Sequence, residues 1–176
     1  MKNKKLQTAI IAVTAVFIVI SLLLMFGKNL FKQRDSIYNA DSTVMAEATG
    51  TTNEIKKSVV VEQDFVNTTD SISKLGIVFT RLAYKEGITV TMELLEGNTV
   101  LASTSLDTAA FEDQHRTYIE PSRKLTGMKD KKLTIRIYPV DKEDTGLVIM
   151  MNKDVDSSFR FSGKTIKGTL CFSVTE

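Results

Sequence analysis

Hydrophobic and polar residues follow three different patterns along the chain. From Ala9 to Phe26 the run AIIAVTAVFIVISLLLMF is apolar on every side, and Thr14 and Ser21 are its only polar side chains. As a helix this run is roughly 27 Å long at about 1.5 Å per residue, close to the ~30 Å hydrocarbon core of a bilayer. A helix that is apolar all round has no wet face to present at a protein surface. From Gly27 to Lys57 the pattern is mixed. Leu30, Phe31, Ile37 and Tyr38 are placed to carry the helix into the headgroup layer, with Lys28, Lys32 and Arg34 snorkelling. Residues 39–54, NADSTVMAEATGTTNE, are small and polar with little to bury, and read as a flexible tether.

From Ser58 onwards the period is two. Val59–Phe65 and Leu75–Tyr84 read as the first two strands. Ile88, Val90, Met92 and Leu94 alternate with Thr89, Thr91, Glu93 and Leu95, the mark of a half-buried strand. Glu96-Gly97-Asn98 is a hairpin loop, and Val100, Ala102, Thr104 and Leu106 return on the partner strand. Asp107 is set to cap one helical turn that folds Phe111 inwards. Thr117–Glu120 is a short strand ended by Pro121, and 125–132 is a polar turn. Leu133, Ile135 and Ile137 alternate with Thr134, Arg136 and Tyr138. Leu147–Met151 is apolar throughout and therefore central. Phe159 and Phe161 flank Arg160, and Leu170, Phe172 and Val174 close the series.

Short strands with turn signals every 8–12 residues and no long helix predict an all-β body. The expected fold is a jelly-roll-type β-sandwich of about eight or nine antiparallel strands, preceded by one N-terminal transmembrane helix. The expected organisation is a short cytoplasmic segment at 1–5 and an anchor at 6–27. An extension and tether follow at 28–57, and an extracytoplasmic sandwich at 58–176.

Charge sharpens this division. The formal net charge is +2. Residues 1–52 carry six Lys/Arg against three Asp/Glu, and residues 53–176 carry 17 against 18. The basic balance thus belongs to the membrane flanks, where cations meet anionic headgroups. The body is balanced, which excludes an electrostatic footprint for nucleic acid. The charge asymmetry slightly favours a cytoplasmic N-terminus, and the five residues before the run are too few for a domain. A cleaved signal peptide is the rival reading. It is opposed by the length of the run and by Leu24-Met25-Phe26-Gly27-Lys28, which lacks small residues at a peptidase's spacing. The lone Cys171 rules out an intrachain disulfide and, with the Lys-rich start, points to a bacterial protein.

The stretches LGIVFTRLAYKEGITVTMELLEGNTVLASTSLDTAAFEDQHRTYIE and LTGMKDKKLTIRIYPVDKEDTGLVIMM carry a family-like order of features. They combine a Leu-Gly-Ile strand, a strand pair closed by a Gly turn, an Asp-capped turn and an L-x-G-x-x-x-K-x-L-x-I-x-I strand. With the final SSFRFSGKTIKGTLCFSV, residues 63–175 resemble a jelly-roll accessory domain attached to bacterial multi-pass membrane proteins of surface-polysaccharide assembly, among them glycosyltransferase-like proteins. The resemblance implies a fold and a setting, with no catalytic signature. A single expected span in place of many implies work beside an enzyme.

Candidate chemistry is sparse. His115 is the only histidine and lies in a polar loop, so a catalytic dyad or triad has one place to be and a surface residue is the plainer reading. Two His/Cys residues fall short of a zinc set. Asp154 and Asp156, and separately Asp141, Glu143 and Asp144, have calcium-loop character without an EF-hand's Gly and distal Glu. Asn67-Thr68-Thr69 matches a glycosylation acceptor. Cys171 lies off the Leu170/Phe172/Val174 face and is inert if both faces are covered. For a glycan face, which uses aromatic platforms, the chain offers no Trp and three body tyrosines, Tyr84, Tyr118 and Tyr138, with Arg81 and Arg136 as polar partners. The expectation is a non-enzymatic, single-pass cell-surface module with no cofactor or metal. Its expected partners are the bilayer through 6–27 and a membrane protein or surface glycan, with no nucleic acid. The alternative is a carbohydrate-binding module whose concave face is lined by Tyr84, Tyr118 or Tyr138 with Arg81 or Arg136.

Overall fold

The computed structural model describes residues 35–37 and 48–176. The expected segments 1–5 and 6–27 lie outside the described residues, and among the described residues no helix is long and apolar enough to cross a membrane. The body is all-β and its strand pairs are antiparallel.

One sheet is built on β5 (Lys74–Arg81). On one side of β5 lies β8 (Arg116–Ile119); on the other lie β15 (Phe172–Thr175) and then β11 (Leu147–Asn152). β1 (Asp35–Ile37) pairs with β15, and β2 (Gly50–Thr51) and β14 (Thr169–Leu170) pair with β11. The second sheet runs β13 (Lys164–Lys167), β12 (Ser158–Phe161), β3 (Val61–Val66), β10 (Lys132–Pro139), β6 (Thr89–Glu96), β7 (Thr99–Asp107). A small pair, β4 (Ser71–Ile72) with β9 (Leu125–Thr126), closes one end. From β3 onwards the chain passes repeatedly between the two large sheets: β5 in the first, β6 and β7 in the second, β8 in the first, β10 in the second, β11 in the first.

The inward faces follow the period-two pattern. Val61 and Phe65 of β3 and Leu133, Ile135 and Ile137 of β10 meet Leu75, Ile77 and Phe79 of β5 in one core. Phe65 and Phe172, from opposite sheets, touch with ring centroids 5.0 Å apart. The same period turns Gln63 inwards. Its amide donates to the carbonyls of Asp64 and Ser158, and its oxygen accepts from Leu170 N–H, so one buried polar side chain ties the sheets together. Asp107 caps the 3-10 turn Thr108–Ala110 by accepting from Ala109 N–H, and Phe111 is fully buried, as the sequence predicts.

Several expectations need correction. The described part of the expected tether is folded: β2 pairs with β11, Ile55 is fully buried, and Ile55 N–H donates to Leu147 O. The helical continuation through Ile37 is replaced by strand β1, in register with β15. The strand expected over Leu75–Tyr84 stops at Arg81, leaving Leu82 and Tyr84 exposed. Fifteen strands exist among the described residues where eight or nine were expected. The excess comes from pairings of two to four residues, too short to show a period. Leu95, on the polar register of β6, is buried because a bulge between Leu94 and Leu95 shifts the pairing with β7.

Candidate functional site

The most structured polar surface is the outer face of the six-stranded sheet. Because Val61, Gln63 and Phe65 point in, Glu62 and Asp64 point out. The same alternation on β10 turns Thr134, Arg136 and Tyr138 outwards. Strand register then does the rest. Arg136 stands opposite Glu62 on β3 and opposite Glu93 on β6, and Arg160 on β12 stands opposite Glu62 from the other side. Unlike charges opposite one another stabilise such a pairing.

The result is a ladder across four strands. Arg136 Nε donates to Glu62 Oε1 at 3.0 Å and its Nη1 lies 3.6 Å from Glu93 Oε2. Arg160 Nε donates to Glu62 Oε2 at 3.0 Å, and its Nη1 to Asp64 Oδ2 at 3.3 Å. Thr134 hydroxyl donates to Asp64 at 2.8 Å, and Tyr138 hydroxyl to Glu93 at 3.1 Å. On β7, Ser105 continues the face by bonding Thr91 at 2.8 Å.

Burial alone would raise the Glu62 carboxyl. Hydrogen bonds from Arg160 and Arg136, with their charges, outweigh it and hold the group below its ordinary value. Asp64 follows the same balance, with Arg160 and Thr134 as the opposing donors. Bonds to Asp64 and Glu62 raise Arg160 further, and burial followed by the Glu93 contact raises Tyr138. At neutral pH these groups therefore keep fixed protonation states. The face is an array of oriented donors and acceptors suited to recognition.

The five candidate ligand-face residues, from which a tyrosine and an arginine were expected to share a face, fall into three groups. Arg136 and Tyr138 belong to the ladder, with Arg136 committed to two carboxylates. Tyr118 lies on the outside of the other sheet. Its ring covers Gly76 so closely that a Cβ there would sit 2.8 Å from Tyr118 Cε1, and Lys74 Nζ stands 4.6 Å from its ring centroid. Arg81 and Tyr84 form a third group at the end of β5. Arg81 Nη2 donates to Ala109 O, and its guanidinium lies 5.1 Å from the Tyr84 ring centroid. A single platform of three tyrosines is thus excluded, because β8 and β10 belong to different sheets.

The remaining candidates resolve into structural roles. His115 is exposed and bonds the Asp113 carbonyl. Asp141 accepts from Thr89 N–H and Asp144 from Lys57 N–H, so these acids cap backbone. Asp113 is likewise bonded by Thr80 hydroxyl and Arg81 N–H, which lower its carboxyl. No group of three or more His, Cys, Asp or Glu positioned for a metal occurs among the described residues. Asn67 is fully buried and its amide donates to Thr69 O and Met128 O, so the glycosylation match is inaccessible in the fold. Cys171 is fully buried where the C-terminal segment leaves β11 for β5. Its N–H donates to Met150 O, and its carbonyl accepts from Val78 N–H. Sequence reasoning missed Glu62, Asp64, Glu93 and Arg160 as one constellation. Their alternate positions in period-two segments were the available signal.

Compared with known proteins, the chain matches no family model and no curated sequence.

Proposed function

We propose that this chain is a non-catalytic, single-pass membrane protein that displays a jelly-roll β-sandwich outside the cytoplasmic membrane, where it serves as an interaction module beside the enzymes of cell-surface glycan assembly. The carrying observation is the ladder through Glu62, Arg136, Glu93 and Arg160, a wide face of fixed charge held on strands. Rigid, pre-oriented charges favour electrostatic docking and register with a partner over proton transfer. The passage of the chain between sheets supports the jelly-roll refinement. The apolar run Ala9–Phe26 supports the anchor, and the family resemblance of residues 63–175 supports the setting.

Site-directed photo-crosslinking in the native membrane tests this reading. Ser103 is exposed on β7 opposite Glu93. A benzoylphenylalanine at Ser103 is expected to capture a membrane protein of glycan assembly, whereas the same residue at loop position Lys142 is not. Equal capture at both positions, or none, contradicts the module. An adduct made only of polysaccharide favours the carbohydrate-binding alternative.

A further inference from the structure

The two large sheets are unequal in width on one side. The first ends at β2, which is only two residues long, while the second continues through the β12–β13 hairpin. Phe159, Phe161 and Ile166 lie on one face of that hairpin, with Ile166 directly opposite Phe159. Phe159 is buried under the sandwich, but Phe161 is half-buried and Ile166 is 37% exposed. Among the described residues no strand beyond β2 covers them. The overhang leaves a cleft of about 440 Å³, floored by Met151 and Phe159 and walled by Phe161 and Ile166. That volume falls within the ~300–1,000 Å³ of small-molecule sites, which also combine apolar walls with a few polar groups.

The rim is cationic. Lys153 and Lys167 border the cleft, and none of its lining residues is acidic. Neither lysine forms an ion pair with a described residue. Asp154 and Asp156 follow Lys153 in the chain but do not line the cleft. Lys153 lies across Gly50, where a Cβ would sit 2.8 Å from its Cε, so the glycine in β2 leaves room for this ammonium beside the opening.

We propose that this cleft binds a long-chain fatty acid, its hydrocarbon against Phe161 and Ile166 and its carboxylate between Lys153 and Lys167. An apolar chain with one anionic end matches both parts of the site. Lysine supplies a point charge for a single carboxylate without the planar fork of arginine. The inference stands on described residues and does not rest on the glycan-assembly reading; only the lipid reference of its test rests on the anchor proposed at 6–27.

The test uses the full chain in neutral phosphatidylcholine nanodiscs, labelled by a diazirine-bearing fatty acid and mapped by mass spectrometry. The expected adduct lies on the peptide containing Phe159–Ile166. In the K153E/K167E variant that adduct falls at least about tenfold, the loss of roughly one charge-pair's worth of affinity. Labelling of residues 9–26, the internal reference for simple partition into lipid, stays unchanged. A diazirine-bearing alcohol of equal chain length labels the cleft more weakly and ignores the charge reversal. Unchanged thermal unfolding establishes that K153E/K167E is folded; I166S, which removes an exposed apolar contact, provides a second variant and lowers the cleft adducts of both the acid and the alcohol while leaving 9–26 unchanged. Labelling confined to 9–26, or a cleft adduct insensitive to both variants, overturns the proposal.

Discussion

Glu62 is the residue on which most of the outer face converges, since two arginines donate to its two oxygens. Its carboxyl and that of Asp64 are held below their ordinary values of 4.5 and 3.8. The unfolded chain therefore binds more protons than the folded one in the interval between the two sets of values. Stability from this pair is complete above the unfolded values and is lost as pH falls through the lowered, folded ones. Urea denaturation from neutral pH into the acid range is expected to show this loss. E62Q is expected to be destabilised by about 1 kcal/mol at neutral pH, a half-buried and partly screened charge pair. The same variant should have a flatter acid limb. An E62Q acid limb as steep as wild type would place the pH dependence elsewhere. Gln63 next door shows how far a sequence can be read. Period two turns it inwards with Val61 and Phe65, but its partner Leu170 lies 107 residues away. Only the closed fold shows that the amide is satisfied.

At the scale of elements, long strands were readable and short ones were not. β6 and β10 present eight residues each of alternating character, and their expected positions match. β2 has two residues. It hides in a stretch of threonines and small residues because part of its pairing uses side chains. Thr52 hydroxyl accepts from Ile149 N–H, and Thr49 hydroxyl accepts from Lys153 N–H. A hydroxyl that replaces a strand carbonyl leaves no hydrophobic period to detect. Ile55 is the one apolar residue at its end and is fully buried. I55A is expected to lose about 2–4 kcal/mol in denaturant unfolding, the range for truncating a buried Ile. A loss near zero would return residues 48–57 to the tether that their composition suggests. The grouping of the candidate glycan-face residues was hidden at the same scale. Tyr118 and Tyr138 both alternate outwards, but which sheet receives each strand depends on the crossings between sheets.

In the whole molecule a feature legible in the sequence meets one that exists only in the fold. The apolar run Ala9–Phe26 stands apart from a body whose outer sheet face carries fixed, paired charge. A module of this kind has its purpose on the far side of a membrane, so topology tests it more directly than any assay of binding. The native chain provides a clean background, because its one cysteine, Cys171, is buried. Asn98, exposed at the tip of the β6–β7 hairpin, is a suitable place for a second thiol. With N98C expressed in cells converted to spheroplasts, a membrane-impermeant maleimide is expected to label the variant without lysis and to leave wild type unlabelled. Labelling of N98C only after lysis would put the sandwich on the cytoplasmic side and contradict the account.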